Sequence, residues 1–91
     1  MSMDDQYREM INFRQSLIDF NERLKASMRS LEAQHEYVSP LWDDEMRRHY
    51  DAQWEPLRTT MKYYIEMEGR DYVEFLSMKL YKLEKYLYGN Y

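Results

Sequence analysis

With 91 residues the chain has the size of one domain, and a domain this small hides a lower fraction of its surface on folding than a mid-sized one. Cysteine is absent, which excludes disulfide staples and thiolate metal sites. The formal charge of −4, with both signs mixed along the length, argues against a phosphate-tracking surface for DNA or RNA.

Two glycines and two prolines, set against abundant Leu, Met, Glu, Lys, Arg and Gln, describe long helices rather than short strands joined by turns. We therefore expect a single all-α domain over residues 1–91, folded as an antiparallel helical hairpin. No Gly or Pro interrupts the first stretch, and Met10, Leu17, Leu24, Leu31 and Val38 recur every seven residues with Phe13 and Phe20 between them. This spacing predicts a helix over about 4–37 that packs along a seam, weakening where Ser27 and Gln34 take the intervening positions.

Ser39-Pro40 is the clearest punctuation: proline disfavours a helical residue before it, suits the first turn of a new helix, and follows a serine able to cap that helix. Asp43, Asp44 and Glu45 add negative charge where a helix dipole favours it, so a second helix is expected over about 40–68. Met46, Tyr50, Trp54, Leu57, Met61, Tyr64 and Ile65 share one arc of it, with Trp42 beside them. Pro56 lies inside this pattern, so either the helix kinks there, the alternative we favour, or a short break lets Pro56 restart it.

Past Gly69 a stripe of Tyr72, Val73, Leu76, Leu80, Leu83 and Leu87 predicts helix over about 70–88, displaced by about a quarter turn from the earlier arc. Either a bend at Glu68-Gly69 or a third helix folding back would realign the two, glycine being the weakest helix former of the region. Gly89-Asn90-Tyr91 reads as a stop and tail.

Eight of the ten tyrosines lie from Tyr50 onwards, and apolar side chains outnumber polar ones by eleven to six over residues 72–88. Phe75, Met78 and Tyr86 fall on a flank away from the leucine stripe, which a two-helix hairpin cannot bury as well. Tyrosine and methionine suit contact surfaces, so Trp42, Tyr50, Trp54, Phe75, Met78 and Tyr86 are the candidate partner-binding residues.

Chemistry is thin by comparison. Glu32-x-x-His35 has the spacing of a di-iron bundle pair, but the second such pair is missing, and His49 with Asp44, Asp51 and Glu55 reads as a solvated face. Ser16, Ser27, Ser30 and Ser77 lack an elbow turn or glycine-rich oxyanion loop, and no phosphate loop occurs. We expect no enzyme, catalytic residue, metal site or cofactor. No opening segment has the build of a cleaved signal peptide, and no run approaches the ~20 apolar residues that span a bilayer, so no membrane insertion is expected.

Leu41-Trp42-Asp43-Asp44-Glu45, followed by Arg48, Tyr50, Gln53, Trp54 and Leu57, resembles the WXG family of type VII secretion proteins over roughly residues 10–68. Asp44 stands at the family's motif glycine, and the family's Tyr-x-x-x-Asp/Glu export signal is matched only by Tyr64-x-x-x-Glu68 in mid-chain. The resemblance implies a hairpin that forms a homodimer, or a heterodimer with another helical protein, as a four-helix bundle. It further implies cytoplasmic synthesis, secretion without a cleaved signal peptide, and a role as export partner, targeting module or assembly subunit. Trp42 would then be the turn tryptophan, and Tyr50 and Leu57 seam residues. The alternative is a cytoplasmic adaptor or regulatory subunit of a bacterial complex unrelated to secretion.

Overall fold

The computed structural model describes residues 2–89, so Asn90 and Tyr91 of the expected tail lie outside the described residues. Helix α1 spans Met3–Val38 and begins with a capping box: Ser2 Oγ accepts from the Asp5 N–H at 3.2 Å, while the Asp5 carboxylate accepts from the Ser2 N–H at 3.4 Å. Asp4 and Asp5 add negative charge to the positive end of the dipole. At 36 residues, the helix is long enough to run nearly the whole 66 Å length of the molecule.

The reversal differs in detail from expectation. Ser39 keeps right-handed helical angles in spite of the following proline, and Ser39–Leu41 form a 3-10 turn that tightens the end of α1. Trp42 and Asp44 are extended, and α2 starts only at Glu45, spanning Glu45–Tyr63. Its cap is Asp44, whose Oδ1 accepts from the Arg47 N–H at 3.3 Å, and not Ser39. Reversing the chain takes non-helical residues, and the first strong capping side chain beyond them is this aspartate.

Helix α2 continues through Pro56 without a break. The missing N–H leaves the Ala52 carbonyl without its usual partner, but Ala52 and Pro56 are both exposed, so water can take its place. Next comes a π-helical segment, Tyr64–Glu68, closed by the Gly69 N–H donating to the Tyr64 carbonyl, and then α3, Gly69–Tyr88. Gly69 itself is helical, so no third helix folds back. One inserted residue turns the following side chains by about 100°, which is the quarter turn separating the two apolar stripes. The π segment realigns them, and α2, the π segment and α3 form one rod antiparallel to α1.

The seam also departs from the expected one. Leu17 and Leu24 are half-buried, but the second row along α1 is Tyr7, Arg14, Asn21, Met28 and His35 rather than Phe13 and Phe20. Its polar members find partners across the seam. Arg14 Nε donates to Ser77 Oγ at 2.6 Å, and Ser77 Oγ donates to the Val73 carbonyl at 2.8 Å. Asn21 Nδ2 donates to the Gly69 carbonyl at 3.1 Å and Asn21 Oδ1 accepts from the Tyr64 hydroxyl at 2.8 Å. Near the open end, Tyr88 donates to Asp4 at 2.8 Å and its ring meets Tyr7 edge-on. Among the described residues, only Met28 and Trp54 are buried apolar side chains, at 5% and 6% exposure.

Gly69 is the point of closest approach: a Cβ there would lie 3.1 Å from Asn21 Nδ2. Alanine favours helix over glycine by about 1 kcal/mol, but Asn21 is held by two hydrogen bonds and cannot easily give way. Gly69→Ala should therefore lower the urea midpoint in the parent chain and raise it in an Asn21→Ala background; the same sign in both backgrounds would contradict this packing.

Candidate interaction surface

At the turn, aromatic rings close the hairpin. His35 of α1 packs against Trp54 with centroids 4.7 Å apart and against Tyr50 at 5.6 Å, its Nδ1 within hydrogen-bond distance of the Tyr50 hydroxyl at 3.1 Å. Trp42 leans on Tyr50 at 5.3 Å, so the extended residue before the cap anchors the ring cluster. One turn away, Glu32 accepts from Arg58 Nε and Lys62 Nζ, both at 3.2 Å. Partial burial pushes the Glu32 carboxyl up, but the hydrogen bonds and charges of Lys62 and Arg58 outweigh it and hold it below its ordinary range.

These contacts occupy the side chains with potential chemistry. Glu32 and His35 face α2 and share an open depression of about 250 Å³ with Glu36, Trp54, Glu55 and Arg58, and His49 sits exposed beside Gln53 at 3.4 Å. Arg47 pairs with Asp51 at 3.6 Å. Among the described residues no three potential ligands converge on one point. No helix among them is long and apolar enough to cross a membrane.

The two long faces of the hairpin differ. On one, Ile18, Glu22, Lys25, Glu66 and Arg70 border an open groove of about 440 Å³, charged at its rim. On the other, Phe13 and Leu17 of α1 face Tyr64, Tyr72, Phe75 and Leu76 across a groove of about 380 Å³. A depression lined by Glu68, Asp71, Tyr72 and Phe75 continues it. Phe75 is 68% exposed, Phe13 58% and Phe20 53%. Phe20 lies seven residues from Phe13, hence on the same face of α1, and Tyr86 lies three turns beyond Phe75 on the same face of α3.

The candidate contact residues thus separate into two groups. At the turn Trp42 meets Tyr50, Tyr50 and Trp54 meet each other and His35, and Trp54 is covered there by its own chain. Phe75, Met78 and Tyr86 are exposed on α3, with Met78 by its spacing on the outward side, away from the groove. Phe13, Phe20 and Tyr72 belong to the same apolar face, although spacing alone places them inward. The signal that could have moved them outward is the second heptad row, Tyr7 to His35, which needs only polar partners on the facing helix to become the inner one.

The depressed carboxyl of Glu32 stabilises the folded state fully above its unfolded value of about 4.3, and that contribution is lost as pH falls through the lower folded value. The stability difference between the parent and Glu32→Gln, read from urea midpoints, should shrink from about pH 6 to about pH 3; a difference that grows on acidification would contradict the pairing. Compared with protein-family models, curated proteins and solved structures, the chain matches none of them.

Proposed function

We propose that this chain is a helical protein–protein interaction module and not an enzyme, and that its contact surface is the face bearing Phe13, Phe20, Tyr72 and Phe75. The observation that carries this reading is the pairing of a nearly coreless hairpin, with Met28 and Trp54 as its buried apolar side chains among those described, with an exposed aromatic face built from both helices. Apolar surface in that arrangement is what proteins cover with a partner.

The WXG likeness adds a role as export partner, targeting module or assembly subunit. It is supported by Trp42 standing at the hairpin turn between two antiparallel helices. Two observations favour the assembly or adaptor form over a secretion substrate. Asp44, at the position of the family's glycine, is the N-cap of α2. Tyr64 and Glu68, the letters of the export signal, bound the π segment in the middle of the rod rather than following it.

A photoreactive phenylalanine analogue placed at Phe20 in cells should form protein adducts on illumination, while the same analogue at Arg29, exposed on the opposite side of α1 by helical spacing, should not. No protein adduct from Phe20, or equal yields at both positions, would overturn the assignment.

A further inference from the structure

We propose that the occupant of the apolar face is a second copy of this chain, packed about a two-fold axis that crosses the hairpin at the level of Phe75. The proposal rests on the interaction-module reading and deepens it by naming the partner.

Area is the first argument. A monomeric globular protein of 11.4 kDa exposes about 5,800 Å², whereas this chain exposes 7475 Å², an excess of about 1,700 Å². Permanent homodimers hide about 1,000–2,500 Å² per chain, so the excess is what such a contact removes. A standard-size contact of about 800 Å² per partner would leave half of it in water.

Charge is the second argument, and it selects a copy of the same chain. Glu68 and Asp71 border the depression beside Phe75, seven and four residues before it. Lys79 and Lys82 follow Phe75 by four and seven residues, on the same side of α3 by helical spacing. None of these four has an ion-pair partner among the described residues, and Asp71, Lys79 and Lys82 are exposed.

In a two-fold contact, each residue before the axis meets its counterpart after it. With α3 antiparallel to α3 of the second copy and Phe75 on the axis, Asp71 meets Lys79 and Glu68 meets Lys82. Each pairing occurs twice.

Helix α1 obeys the same axis. Arg14 is level with Ser77 and Asn21 with Gly69, so the midpoint of Phe13 and Phe20 is level with Phe75 to within about a residue. The rotation that stacks Phe75 on Phe75 then lays Phe13 on Phe20 of the second copy. Two hairpins joined in this way form a four-helix bundle with the phenylalanines inside and the charged pairs at its edge.

The full chain should sediment at equilibrium as a species of twice the 11.4 kDa chain mass. The variants Glu68→Lys/Asp71→Lys and Lys79→Glu/Lys82→Glu each oppose like charges at all four pairings, and should self-associate at least about tenfold more weakly than the parent. Mixing the two should restore a two-chain species containing one of each, and circular dichroism of the mixture should match the parent even if either variant alone loses helix.

Parent-like dimers from each variant alone, or no recovery on mixing, would overturn the register, as would a parent mass above two chains. A folded parent with the mass of one chain at every concentration would overturn the second copy as occupant. That last result leaves the interaction-module reading standing, because Phe20 adducts with a different protein would still support it; loss of those adducts would remove both.

Discussion

Two helices share a single seam, and a single seam cannot enclose a core. Each helix offers its partner about one third of its circumference, so side chains beside that stripe stay wet whatever their chemistry. In this chain the constraint is sharpened by the seam itself, where Arg14, Asn21, Glu32 and His35 occupy inward positions and trade apolar burial for hydrogen bonds and ring contacts. The consequences run through the molecule: an elongated 66 × 21 × 16 Å shape, only Met28 and Trp54 as buried apolar side chains among those described, and phenylalanines left on one face. Small domains usually answer this constraint with disulfides, metals or association. Cysteine is absent and no three potential ligands converge among the described residues, and the association proposed above would supply this remedy by covering the exposed phenylalanines.

Polar contacts at the seam do more than fill space. A purely leucine seam tolerates sliding of one rod along the other, but Arg14 with Ser77 and Asn21 with Gly69 and Tyr64 fix both register and rotation. The π segment is part of the same device, because without its extra residue the Val73 to Leu87 stripe would turn away from α1 and Gly69 would not meet Asn21. The face opposite the charged groove owes its composition to this locked rotation. Phe13, Phe20, Tyr72 and Phe75 emerge together because the seam holds both helices at one angle.

Much of this was legible in the sequence, and the misreadings share one cause. The hairpin, the helical reversal near Ser39-Pro40 and the helix over residues 70–88 follow from periodicity and punctuation, which are local properties. The quarter-turn mismatch between the two stripes was visible as well, but a bend, a third helix or an inserted residue all remove it, and only the packed structure selects the π segment at Tyr64–Glu68. Hydrophobicity alone assigned Phe13 and Phe20 to the seam. Whether Arg14 or Phe13 faces inward depends on Ser77, Val73 and Gly69 across the gap, which sequence spacing within α1 does not contain. Likewise Asp44 displaces Ser39 as cap because of where the chain leaves the 3-10 turn, a property of the reversal rather than of either residue.

If the hairpin is completed by association, its stability belongs to the assembly and depends on concentration, because unfolding must also separate the copies. The most direct measurement is the thermal midpoint of the unmodified chain, followed by circular dichroism over a roughly hundredfold range of concentration. A midpoint that climbs steadily with concentration is the predicted result. A reversible, cooperative transition at one fixed temperature throughout that range would mean that the lone hairpin accounts for all of its own stability, and would contradict the account.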